Sequence, residues 1–87
     1  MPGIVRNAGT DIAGGPVVSG SSNVNANNVP VARIGDVVAG HGRGLHAGPV
    51  MASGSGNVFT NGIPTCRAGD VASCGHPATG SANVFVN

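Results

Sequence analysis

The chain has 87 residues, among them 16 Gly and 6 Pro, and its formal net charge is +1. This length allows one small domain, and the near absence of helix formers other than Ala argues against a helical bundle. Without clustered Lys and Arg, nucleic-acid binding is not expected. The sequence has neither an apolar run of membrane-spanning length nor the pattern of a signal peptide. We therefore predict a single β domain over residues 1–87.

A repeat organises the chain into three similar units. Residues 19–36 recur, with substitutions, as residues 53–70, and the first half of the pattern returns once more at 80–87. Residues 2–11 supply the missing second half, with Pro, Arg, Gly and Asp in the same order at longer spacing. The units are then 83–87 with 1–11, 23–36 and 57–70. We expect the chain ends to lie side by side and to close the divided unit.

Each unit predicts a β-hairpin. Asn27-Asn28 and Asn61-Gly62 are typical of type I′ turns, whose two central residues both have positive φ. In the divided unit, Asn87 would begin the turn and residues 1–3 would form the returning strand. One strand position is expected to point inward, at Val24, Val58 and Val84. The next position faces the other way and suits a rim or an interface, because it holds Asn25, Phe59 and Phe85.

Two further features of the units predict structure rather than chemistry. The motif Arg-x-Gly-Asp recurs at 33–36 and 67–70. It favours an Asp/Gly turn whose Arg hydrogen-bonds to a neighbouring strand. Cys66 aligns with Ala32 inside a predicted strand, so it is expected to be a small buried residue.

Histidine and cysteine gather after the Asp of two units. Residues 41 and 46 are His after Asp36, and Cys-Gly-His occupies 74–76 after Asp70, whereas residues 12–16 of the first unit hold neither type. If the units surround a pseudo-threefold axis, these ends converge. They then form a set suited to tetrahedral zinc with no open position, namely His41, His46, Cys74 and His76. Such a site would stabilise a core too thin to hold alone. A Cys66–Cys74 disulfide is the alternative.

The repeated pattern resembles the PAAR-repeat family over essentially the whole chain. It reads GSxNVFxNGxPxxRxGD at 54–70 and, with substitutions, at 20–36, and it ends as GSANVFVN. The resemblance implies an all-β cone of three pseudo-threefold hairpin repeats. It also implies one structural zinc near the apex, held by three His and one Cys, which correspond to His41, His46, Cys74 and His76.

The resemblance also implies a role. Family members cap and sharpen the trimeric β-helical spike of type VI secretion systems and contractile phage tails for membrane piercing. For this chain we expect a non-enzymatic tip without the effector extension that many relatives carry at one end. It would be monomeric when free and bound one per trimer with Phe59 and Phe85 in the contact, and it would touch the target membrane transiently. It would reside in a phage tail, or in the bacterial cytoplasm before delivery. The alternative function is a zinc-stabilised adaptor for another protein.

Overall fold

The computed structural model describes residues 2–87, which contain three antiparallel hairpins of two-residue strands and one 3-10 turn at Gly44–His46. The strands are β1 Ile12–Ala13, β2 Gly15–Pro16, β3 Asn25–Ala26, β4 Val29–Pro30, β5 Phe59–Thr60 and β6 Ile63–Pro64. The rest of the described chain is joined by isolated bridges and turns. No helix among these residues has the length and apolarity needed to span a membrane. That residues 1–87 form one domain stays a prediction.

The hairpin turns have the conformation that the sequence predicts. Asn61 and Gly62 have φ of 54° and 77°, and Asn27 and Asn28 have φ of 54° and 64°. Both central residues of each turn are therefore left-handed, as a type I′ turn requires. Asn tolerates this region better than other residues with a side chain.

The two ends of the chain close the divided unit, as predicted. Gly3 pairs with Phe85, the Ile4 amide donates to the Val84 carbonyl at 2.8 Å, and the Val86 amide donates to the Pro2 carbonyl at 3.0 Å. Gly3, rather than Pro2, stands where Pro64 pairs with Phe59 in β5–β6, so the proline of this unit is displaced by one position. The predicted contribution of Met1 lies outside the described residues.

A closed ring of backbone hydrogen bonds joins the three units at a common axis. Val5 donates to Cys66 at 3.1 Å, Cys66 donates to Ala32 at 3.0 Å, and Ala32 donates to Val5 at 2.9 Å. All three side chains are fully buried. The molecule measures 32 × 23 × 23 Å, and its two equal short dimensions fit three similar units around one long axis.

The core divides along this axis. The larger cluster includes Val17, Val38 and Met51, and Cys74 packs at its margin. We call that end of the molecule the apex. The smaller cluster comprises Ile4, Ala26 and Val31, with Val84 and Val86 packed against it, and we call this the hairpin end. Val58 and Val84 are half-buried, but Val24 is 38% exposed, so the predicted inward position is wrong for Val24.

Each unit contains a buried Asp that holds its own Arg. The Arg Nε to Asp Oδ2 distances are 2.7 Å for Arg6–Asp11, 3.1 Å for Arg33–Asp36 and 2.9 Å for Arg67–Asp70. The longer spacing of the first pair therefore does not change the contact. The predicted turns are present, since the Asp36 and Asp70 amides donate to the Arg33 and Arg67 carbonyls. The predicted Arg contact with a neighbouring strand is wrong, because Arg33 and Arg67 each donate instead to a carbonyl in a link 13 residues earlier, at Gly20 and Gly54.

Hydrogen bonds lower the pKa of two of these carboxyl groups, those of Asp11 and Asp70, although both are buried. Burial alone disfavours the charged form, but hydrogen bonds from Arg6 and Thr79 outweigh it and hold the pKa of Asp11 below its ordinary value. Burial acts in the same way on Asp70, and hydrogen bonds from Arg67 and Ser53 lower the pKa of its carboxyl group.

Candidate metal centre

The structure brings all four predicted ligands to one place at the apex. One potential ligand atom from each residue lies within 4.8 Å of those of the other three, and the set is His41, His46, Cys74 and His76. The first two belong to the link after Asp36, and the other two belong to the turn after Asp70. The pseudo-threefold arrangement therefore makes neighbours of residues that are 33 positions apart, such as His41 and Cys74.

Tight local turns position these side chains. His46 ends the 3-10 turn that begins at Gly44, whose φ is 61°. The His41 amide donates to the His46 carbonyl at 2.8 Å, which closes the loop between them. Cys74 and His76 flank Gly75, which has φ of 93°. Because that glycine is left-handed, the chain reverses within one residue and both side chains reach the same point.

The distances identify two imidazole nitrogens that face the centre of the cluster. His41 Nδ1 lies 3.2 Å from the Ala39 carbonyl oxygen, and a proton on Nδ1 that is donated there leaves Nε2 with a free lone pair. That Nε2 lies 3.1 Å from Nδ1 of His46 and 3.6 Å from Sγ of Cys74. The inner atoms are thus Nε2 of His41, Nδ1 of His46 and the Cys74 sulfur.

The three imidazoles surround one point almost symmetrically. Their ring centroids are 5.0, 5.1 and 5.1 Å apart, with interplanar angles between 52° and 64°. Three of the four residues are half-buried and His76 is exposed. The donor set of three nitrogens and one sulfur can hold a metal ion, and four protein ligands would leave no position for a substrate.

The first unit provides space instead of a ligand. Gly14 has φ of 85°, and a Cβ there would overlap the His76 ring and lie 2.7 Å from Nε2 of His41. A Cβ at Gly15 would lie 2.9 Å from Nδ1 of His41. Sequence reasoning noted only that residues 12–16 lack His and Cys. The signal it missed is the pair Gly14-Gly15 at the position equivalent to the ligand turns.

The remaining predicted residues lie away from the cluster. Both cysteines are free thiols, so the disulfide alternative is wrong. Cys66 is fully buried on the axis, and burial raises the pKa of its thiol to about 12. Phe59 and Phe85 are 56% and 47% exposed at the hairpin end, and their role in partner binding stays a prediction.

Comparison with known proteins gives one result that bears on this cluster. A search of curated proteins found no match to the chain. A family model described as the PAAR motif matches residues 40–87, a range that includes all four cluster residues. The family is a structural spike-tip module not known for catalysis, and it supports a spike-tip role in contractile injection systems generally. The match covers more than half of the chain and agrees with its all-β, three-unit fold, and the chain therefore belongs to the PAAR-motif family.

Proposed function

We propose that this chain is a zinc-bound tip that caps the trimeric spike of a contractile injection machine and leads it through a membrane. The observation that carries the proposal is the convergence of three imidazoles and one thiol at the apex of an elongated, pseudo-threefold body. The other end presents three similar hairpins, namely β3–β4, β5–β6 and the one that the chain ends close through Gly3 and Phe85. One end is thus suited to a structural metal and the other to a threefold partner.

Zinc is the ion that best fits the donor set. Thiolate and imidazole ligands in a closed four-coordinate site are typical of structural zinc. Metal analysis of protein purified without chelator should give one zinc per chain, whereas a Cys74→Ser, His76→Asn double variant should give almost none. Less than about half a zinc per chain in the wild type would contradict the zinc assignment.

The hairpin end is suited to docking on a trimer. Its three hairpins are related by the axis that the ring of Val5, Ala32 and Cys66 surrounds. Each hairpin can therefore face one subunit of a threefold partner. Phe59 and Phe85 add apolar area on two of these hairpins, where each is about half exposed. Burying large aromatic side chains contributes strongly to protein association.

Native mass spectrometry with the trimeric β-helical spike of the same machine tests the docking directly. We expect one chain per trimer. Phe59→Asp combined with Phe85→Asp should abolish binding and keep the zinc, whereas Ile12→Asp, at a side chain that is 48% exposed elsewhere, should leave binding intact. Absence of wild-type binding would overturn the proposal, and binding only to a protein that is not trimeric would favour the adaptor function.

The apex would then be the leading end. Because a narrow end cannot enclose a wide hydrophobic core, a metal holding four side chains together stabilises it against the force of insertion. Contact with the target membrane would be transient. The protein would reside in a phage tail tip, or in the bacterial cytoplasm until the spike is fired.

A further inference from the structure

Where two neighbouring hairpins meet, a Ser, an Asn and an Arg side chain of one unit face the turn of the next, and we call each such cluster a corner. There are three corners among the described residues, and two of them bind a side-chain carboxamide in the same way. In the first corner, Asn61 comes from the adjacent hairpin turn. Its Oδ1 accepts hydrogen bonds from Ser21 Oγ at 2.6 Å and Arg33 Nη1 at 3.3 Å. Its Nδ2 donates to Asn23 Oδ1 at 2.8 Å. Three groups thus recognise both the acceptor and the donor side of the amide.

The second corner repeats this arrangement with a different set of residues. Asn27 Oδ1 accepts from Ser81 Oγ at 2.9 Å and from Arg6 Nη1 at 3.1 Å. Asn27 Nδ2 donates to Asn83 Oδ1 at 3.0 Å. The same Ser-x-Asn and Arg combination therefore holds a carboxamide twice within one chain.

The third corner has the same receptor groups, at Ser55, Asn57 and Arg67. Ser55 Oγ accepts from the Val58 amide at 2.9 Å and donates to Asn57 Oδ1 at 3.0 Å. Asp70 fixes Arg67 through its Nε and Nη2, as Asp36 fixes Arg33 in the first corner. The receptor is thus assembled in the same form.

In the third corner, unlike the other two, no described side chain occupies the carboxamide position. The repeat assigns it to Asn87, but within residues 2–87 no hydrogen bond joins Asn87 to Ser55, Asn57 or Arg67. Arg67 Nη1, whose equivalents hold the amide oxygen at the other corners, has no hydrogen bond to any described residue.

We propose that the third corner binds an Asn or Gln side chain of the spike on which the hairpin end docks. This inference rests on the proposed function and specifies its contact. A carboxamide places its oxygen at Arg67 Nη1 and Ser55 Oγ and its NH2 group at Asn57 Oδ1. A carboxylate would instead set an oxygen against Asn57 Oδ1, and an ammonium group would face the Arg67 guanidinium.

The position of this corner favours a role in docking. It lies between the hairpins that carry Phe59 and Phe85, whereas each of the other corners adjoins the hairpin that carries Asn25. Docking of the two aromatic side chains would remove water from the polar groups between them. Such groups then need new hydrogen-bond partners, because leaving them unpaired is costly.

The repeat provides a matched pair of variants for the test. We expect Asn57→Ala to weaken binding to the trimeric spike about tenfold, the loss of roughly one hydrogen-bonded contact, with a small change in the melting temperature of the free protein. In the wild type, Asn23 Oδ1 already accepts a hydrogen bond from Asn61. Asn23→Ala should therefore lower the melting temperature more than Asn57→Ala does and leave the affinity for the spike unchanged. Titration calorimetry measures the affinity of each variant for the spike, and scanning calorimetry measures its melting temperature.

A double-mutant cycle identifies the chemistry of the ligand. In this cycle the Asn and Gln side chains at the blunt end of the spike are changed to Asp and Glu. The change should weaken the binding of the wild-type tip to the spike but should not further weaken the binding of the Asn57→Ala variant. Equal affinities for Asn57→Ala and Asn23→Ala would overturn the inference, and an equal fall in melting temperature would show that Asn87 fills the corner instead. The proposed function fails separately, if the wild-type chain does not bind the spike at all.

Discussion

The three repeat units are equivalent at the hairpin end, but they differ from one another at the apex. At the hairpin end the three units make equivalent contacts, because in each of them a Ser hydroxyl accepts from the amide three residues later at 2.9 to 3.0 Å, at Ser21, Ser55 and Ser81. At the apex they contribute differently, because the first provides Gly14, the second two His, and the third Cys and His. A tetrahedral ion needs four ligands, and three identical units cannot supply four. A single closed site on a threefold axis therefore requires the symmetry to break.

The comparison predicts that metal removal has the largest effect, because the proposed ion would link four side chains at the apex and none at the hairpin end. The free energy of binding at a structural zinc site appears as folding free energy, on the order of 10 kcal/mol. Chelation should therefore lower the melting temperature steeply, as measured by circular dichroism. His46→Ala should begin with a low melting temperature and show little further change with chelator. Superimposable wild-type curves with and without chelator would contradict a stabilising metal.

The next effect concerns Gly14, and Gly69 provides its matched control. Their φ values are 85° and 91°, and a Cβ would meet ligand atoms at Gly14 but nothing within 4 Å at Gly69. Both Ala variants carry left-handed strain of about 1 kcal/mol. Only Gly14→Ala should also lose metal affinity, at least about tenfold in competition with a chromophoric chelator. Equal affinities for the two variants would show that the first unit has no part in the site.

Gly14 also shows where sequence reasoning ends. The four candidate ligands were predictable, because the repeat register places them at equivalent ends of two units. Gly14 was not, because glycine in such a link indicates a turn whether or not a side chain packs against it. The one-position shift between Pro2 and Gly3 accounts for the longer Pro-to-Arg spacing of this unit, but the spacing alone did not show which residue would pair with Phe85. Val24 was misplaced because two-residue strands give too short an alternation to define an inward face.

A smaller effect concerns the Arg–Asp pairs, which all three units share. Asp11 is 2% exposed, and its pKa is lower in the folded protein than in the unfolded chain, since hydrogen bonds from Arg6 and Thr79 outweigh the effect of burial. This stabilisation is fully present above the ordinary carboxyl pKa, about 4. It is lost as the pH falls through the lowered value. Asp11→Asn should cost about 2 kcal/mol at neutral pH.

The difference between wild type and Asp11→Asn is the quantity to follow. Any effect of acid on the rest of the molecule occurs in both proteins, so it cancels in this difference. Denaturant unfolding from pH 7 to pH 3 should show the difference in unfolding free energy shrinking towards the acid end. A difference that stays constant over this range would mean that the carboxylate charge does not contribute.

The smallest effect is expected at Cys66, which contrasts with Cys74 in the same chain. Cys66 is fully buried on the axis, and its equivalents in the other units are Val5 and Ala32. One unit already has Ala at this position, so Cys66→Ala should cost about 1 kcal/mol, the loss of a small buried group. Zinc content should be unchanged, as measured by metal analysis of the variant.

Thiol labelling separates the two cysteines further. Because burial raises the pKa of the Cys66 thiol to about 12, its thiolate is scarce at neutral pH, and the thiolate is the reactive form. The half-buried Cys74 lies among imidazoles at the apex. When the metal is removed under conditions that keep the hairpin end folded, Cys74 should react first and Cys66 only on global unfolding. Simultaneous labelling would mean that the two ends unfold together, and the metal would then stabilise the whole cone rather than its apex alone.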